Sequence, residues 1–147
     1  MSENKSILVV KSHACAVLIV KLYKLLIYEK REYVLSKQLL RCGTSVGANI
    51  REARNAVSKK DFIHKLTIAQ KECDESLYWL ELLTEFIEHE YIELVKLRKE
   101  ASELLLILSA IILKTKQNAN WTKRLSPFQF YIFTFTFNKR LWNVWKY

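Results

Sequence analysis

Asp61 and His64 stand at i and i+3, a spacing that places a carboxylate and an imidazole on one helix face, as di-iron helical bundles do. Such centres need Glu-x-x-His twice plus further inward carboxylates, and this chain has no second copy of the pair. His64 therefore reads as a surface or interface residue. His13 and His89 have no cysteine or carboxylate at ligand spacing beyond the ordinary acids around His89. Cys15, Cys42 and Cys73 are odd in number, widely spaced and set in apolar patterns, which matches neither a disulfide framework nor a zinc site. They point to a reducing, cytoplasmic setting. Gly43 and Gly47 lie inside a helical pattern with no strand before them, so they form neither a phosphate-cradling loop nor a nucleophile elbow. The expectation is a protein that is not an enzyme, with no catalytic residue, no metal and no cofactor.

Positive charge is the stronger chemical signal. The 24 Lys and Arg against 15 Asp and Glu give a net charge of +9. Residues 1–71 hold 14 basic and 5 acidic residues (+9), residues 72–103 hold 3 and 10 (−7), and residues 104–147 hold 7 and 0 (+7). A basic half attracts polyanions, and an acidic half on a neighbouring copy could meet it head to tail. Arg51, Arg54, Lys59, Lys60 and Lys65 gather around one turn and are the candidate contacts to RNA or DNA, made mostly to phosphates. The rival reading is a structural module in which the charge asymmetry holds subunits together or docks a partner protein. Solvated helix faces would show the same pattern.

A second polar feature lies nearby. At about 100° per residue, Arg41, Ser45, Asn49 and Glu52 share one stripe beside an apolar one, with Gly43 and Gly47 on the opposite flank. Two glycines inside a helix cost about 1 kcal/mol each relative to alanine, which implies that another backbone packs closely there. The polar stripe fits a hydrogen-bonded packing network against a neighbouring helix or subunit; a ligand or nucleic-acid contact is the alternative.

Long helices must position these residues. With 50% hydrophobic residues but only two Gly and one Pro, the chain has few breakers. Val10, Ala14, Val17, Leu18, Leu22 and Leu25 give one stripe and a helix over about 4–30. Ser36 is the expected N-cap of a second helix carrying Leu39, Cys42, Val46, Ile50, Ala53 and Val57, running to about Ala56. Ser58 with Asp61 resembles a capping box opening a third, with Phe62, Leu66, Ala69, Cys73, Leu77, Leu80 and Leu83. Tyr78, Trp79, Leu82 and Phe86 widen that helix's apolar face beyond one core and imply a second buried contact. Leu94, Leu97, Ala101, Leu104, Leu108 and Ile111 define a fourth, ending near 115–118. Four helices with short connections predict an all-α protein, an antiparallel up-down-up-down four-helix bundle over residues 1–120.

Residues 121–147 differ in kind, as an atypical aromatic and basic C-terminal tail. They hold five basic and no acidic residues, and Phe133, Phe135 and Phe137 alternate with Thr134 and Thr136 at the period of a strand, with a hairpin around Asn138-Lys139 as one outcome. Interleaved Trp, Phe, Lys and Arg could stack bases or sit at a membrane surface; a disordered or subunit-packing extension would look the same. A membrane partner is not expected for the rest. The stretch closest to a membrane span, Leu104–Leu113, has the length of a buried helix segment, and Lys11, Ser12 and His13 interrupt the N-terminal apolar run that would otherwise resemble a signal peptide.

Residues 34–83, above all the runs SKQLLR, TSVGANIREA and DFIHKL, resemble the bacterial four-helix-bundle family encoded in intervening sequences of 23S ribosomal RNA genes. The likeness extends more loosely over residues 1–117. Members of that family are similar to the accessory protein of diversity-generating retroelements, a basic pentameric barrel that binds a reverse transcriptase and nucleic acid. The resemblance implies a homopentamer and nucleic-acid binding. It carries over, as motif or interface positions with no catalytic role attached, Ser36, Arg41, Ser45, Asn49 and Glu52, and on the third helix Asp61, Lys65 and Glu72. The tail departs from the family pattern, in which chains stop near residue 120.

Overall fold

A computed structural model describes residues 6–87 and 92–118. Within them the chain forms four helices, α1 (Ile7–Leu25, continued by a π-helical turn Leu26–Lys30), α2 (Leu35–Arg54), α3 (Lys59–Phe86) and α4 (Ile92–Gln117). No strand occurs among the described residues. The proposed hairpin, the aromatic tail and His89 lie outside them. α1 packs against α2 and α4, and α3 packs against the same two, so α1 and α3 occupy diagonal corners of an antiparallel four-helix bundle.

Leu8, Ile19, Leu26, Leu39, Ile50, Leu66, Leu80, Leu83, Leu97, Leu104 and Leu108 are buried to 1% exposure or less and form the centre of the core. On α2, α3 and α4 the expected stripes are buried with small changes. Ser76 is buried where Leu77 was expected, Ile112 replaces Ile111, and Val57 is solvent-exposed beyond the end of α2.

On α1 the expected stripe departs in phase over its first half, while Leu22 is buried and Leu18 and Leu25 pack against the core. Leu8, Ser12, Cys15, Ile19, Leu22 and Leu26 face the core, whereas Val10, Ala14 and Val17 face outward. The helix is apolar on nearly all sides, so two different stripes satisfy the three-and-four spacing, and the one chosen passes through a serine. Ser12 is accommodated because its hydroxyl donates to the Val9 carbonyl at 3.1 Å.

The α1–α2 connection also departs from expectation. Ser36 is not the N-cap; it is the second residue of α2 and fully buried, donating its hydroxyl to the Glu32 carbonyl at 2.7 Å. The capping is done by the Glu32 carboxylate, which accepts from the backbone N–H groups of Val34 (2.9 Å), Leu35 (2.8 Å) and Ser36 (2.7 Å). One carboxylate thus satisfies three of the donors a helix start leaves open. Arg31, at φ 53°, takes the left-handed conformation that ends the preceding turn, and the Glu32 N–H returns to the Leu26 carbonyl at 3.1 Å. At the α2–α3 turn the capping box forms in modified shape. Ser58 Oγ accepts from the Asp61 N–H at 3.1 Å, while Asp61 Oδ2 accepts from the N–H of Val57, one residue before the cap, at 3.2 Å.

Candidate nucleic-acid interface

The basic cluster is built by the α2–α3 turn. Arg51 and Arg54 lie in the last turn of α2, where cations oppose the negative end of the helix dipole, and both are exposed. Lys59 and Lys60 open α3, and Lys65 follows one and a half turns on. Two of the five cations are engaged within the chain. Lys59 Nζ donates to the carbonyls of Lys116 (3.2 Å) and Asn118 (2.7 Å), closing the C-terminus of α4. Lys65 Nζ pairs with Glu52 Oε2 at 2.5 Å. Arg51, Arg54 and Lys60 are exposed, and none makes a side-chain hydrogen bond or ion pair among the described residues. Those three cations face solvent.

The motif residues meet at the seam between α2 and α3. Arg41 reaches Glu75, to which it also donates a hydrogen bond, and Glu72, 3.7 Å from its Nη1. Glu75 additionally accepts from the Trp79 indole N–H at 3.1 Å. Asn49 Nδ2 donates back to the Ser45 carbonyl (3.0 Å) and hydroxyl (3.1 Å), and Glu52 holds Lys65. Glu72 Oε2 is buried and accepts no hydrogen bond among the described residues, so the Arg41 guanidinium is its nearest compensation. Ser36 and Asp61 serve the helix starts on either side. As a set these residues join α2 to α3 inside one chain. Gly43 and Gly47 face α1 on the other flank. A Cβ on Gly43 would sit 2.1 Å from Ile19 Cδ1, and one on Gly47 would lie 3.8 Å from the Ser12 carbonyl oxygen.

Nothing in this arrangement gathers a reactive group. The three cysteines are buried and unpaired. Burial pushes the Cys15 thiol up to about 11 and the Cys73 thiol up to about 12. Burial also raises Cys42, partly offset by the hydroxyl of Ser76, which donates to its sulfur at 3.2 Å. Among the described residues no three His, Cys, Asp or Glu side chains come together as metal ligands, and no helix is long and apolar enough to cross a membrane. His64 projects from the exposed side of α3.

Several interactions carry no signature in the sequence. Lys11 bridges α1 to α4 by pairing with Glu103 (2.7 Å) and Glu100 (3.3 Å). The hydrogen bond it donates to Glu103 is the main cause that raises its pKa, against the opposing effect of burial. The Lys59 contact to the end of α4 is of the same kind, since neither partner is near the other in sequence. Glu32 is a glutamate where Ser, Thr, Asp or Asn is the usual cap.

The family model for the 23S rRNA-intervening sequence protein matches residues 4–110. A crystal structure from Bacteroides thetaiotaomicron, described as a protein with unknown function from the S23 ribosomal protein family, is 50% identical. It covers 72% of this chain and 98% of its own, with a TM-score of 0.67. No curated protein matches the chain.

Proposed function

The chain belongs to the 23S rRNA-intervening sequence protein family, and from that premise we propose that it is a non-enzymatic, homo-oligomeric bundle that binds RNA or DNA through the basic surface at the α2–α3 turn. The observation that carries this reading is the state of Arg51, Arg54 and Lys60. They are exposed on one turn and without an acidic partner among the described residues, while Lys59 and Lys65 beside them are occupied. Rigid helices hold the three cations, and the backbone N–H groups at the start of α3 add positive potential to the same corner. Such a surface reads phosphate charge and carries little sequence preference.

Fluorescence anisotropy with a mixed-sequence single-stranded RNA over a salt series tests it. Three phosphate contacts predict a slope of log K against log salt of about −2, hence a loss of roughly twentyfold for a fourfold rise in salt. Replacing Arg51, Arg54 and Lys60 together with glutamine should flatten the slope by about two and weaken binding at low salt by more than tenfold. Unchanged binding by that variant, or salt-independent binding by the wild type, would sink the proposal. A second reading, a structural or protein-docking oligomer with no nucleic-acid role, is favoured by the outward apolar stripe of α1 and would follow from an oligomer that ignores RNA at every salt.

A further inference from the structure

Val10 and Val17 stand 48% and 40% exposed on the side of α1 that faces away from the bundle, with Ala14 between them also exposed. Lys21 and Lys24 continue the same line toward the C-terminal end of the helix, giving the spacing four, three, four, three from residue 10 to residue 24. That is the repeat with which one helix packs along another, yet both neighbours of α1 lie on its other side. A matching line runs along α3. Lys71, Asp74, Tyr78, Glu81 and Glu85 fall at spacings of three, four, three and four on its outward side, three acids to one base, with Tyr78 54% and Phe86 74% exposed.

We propose that the outward stripe of α1 in one copy docks on the outward acidic stripe of α3 in the next, a head-to-tail contact between copies of this chain. The two stripes are complementary in charge, Lys21 and Lys24 against Asp74 and Glu85, and each carries apolar residues that no helix of its own chain covers. α1 and α3 sit at diagonal corners, so a single chain cannot bring the stripes together and the contact must be heterologous. Other occupants of the α1 stripe fit less well. The outward side of α4, with Val95, Leu106 and Leu113, offers apolar surface but presents Lys99 rather than carboxylates. Residues 121–147 contain no acid to meet Lys21 and Lys24. Glu81 already pairs with Arg98 at 3.1 Å, which leaves Asp74 and Glu85 as the carboxylates to meet the lysines.

The contact rests on the homo-oligomer reading above and specifies its surface. Light scattering after size exclusion reads it out on the full chain, with far-UV circular dichroism confirming that each variant is folded. Lys21→Glu with Lys24→Glu, and separately Asp74→Lys with Glu85→Lys, should each reduce the mass from a multiple of the 17.4 kDa chain to a single chain. All four substitutions in one chain restore opposite charges across the contact and should restore the wild-type mass. An equimolar mixture of the two double variants should also assemble, because each presents the stripe the other lacks. If the double variants keep the wild-type mass, or the fourfold variant stays a single chain, the contact is overturned while the homo-oligomer reading stands. A wild-type chain of 17.4 kDa overturns both. RNA anisotropy on the same samples reads the basic corner independently, because none of the four positions belongs to it.

Discussion

Glu32 shows how much a single side chain can organise here. Burial works to raise its pKa, but the backbone N–H bonds from Leu35, Ser36 and Val34 outweigh that and hold it below the ordinary 4.5. A carboxyl depressed in the folded state contributes stability above its unfolded pKa and loses that contribution as pH falls through the lower folded value. Glu32→Gln should therefore lower stability at neutral pH by about 1 kcal/mol, the scale of a lost helix cap. The difference from wild type should shrink below the usual carboxylate range, as urea melts at pH 7 and pH 3 would show. An equal loss at both pH values would mean that shape rather than charge matters at this position. A capping serine was legible at residue 58, where the Ser-x-x-Asp pattern is local. At residue 36 the pattern misled, because the Glu32 carboxylate caps α2 and the buried serine donates its hydroxyl to the Glu32 carbonyl instead.

At the scale of elements, the α1–α2 crossing depends on two glycines with opposite demands. Gly43 is buried, and a methyl group there would drive into the Cδ1 end of Ile19, itself packed in the core at 1% exposure. Gly47 has ordinary van der Waals room before the Ser12 carbonyl. Gly47→Ala should stabilise by roughly 0.5–1 kcal/mol through helix propensity, whereas Gly43→Ala should destabilise by about 1 kcal/mol because overpacking exceeds the same propensity gain. Thermal melts of the two variants check the contrast; similar shifts of the same sign would contradict the close approach at Gly43. The glycine pair was visible in sequence as a place where another element comes near. That the obstacle at Gly43 is a side chain of α1, and at Gly47 a backbone carbonyl, follows only from the register between the two helices.

For the whole molecule, two kinds of contact respond differently to salt. On the proposed reading the basic corner offers phosphates only charge, so RNA affinity would be governed by counterion release. The proposed contact between copies combines charge with the exposed Val10, Val17, Tyr78 and Phe86, and apolar burial is not screened by salt. Raising salt to about 0.5 M should remove most RNA binding while the scattering mass falls little, the Debye length being only a few ångströms there. Dispersal of the oligomer at a salt concentration that still permits RNA binding would reverse that ranking.

Helix number, helix type and the buried faces of α2, α3 and α4 were decided by the sequence itself. Their apolar residues recur at one phase with polar residues between them, and few glycines or prolines interrupt them. For α1 the sequence allowed two phases, because valine, leucine and isoleucine surround the helix, and only packing against α2 and α4 selected the one through Leu8, Cys15 and Ile19. The basic cluster was readable as a group of five, but tertiary structure decided that Lys59 closes α4 and Lys65 holds Glu52, leaving Arg51, Arg54 and Lys60 facing solvent. The polar stripe of α2 was legible as a line of residues; on α3 the resemblance supplied Lys65 and Glu72 without their pairings, and Glu75 was not legible at all. Spacing along a chain specifies which side chains share a face, and only the three-dimensional register of helices specifies which face meets which.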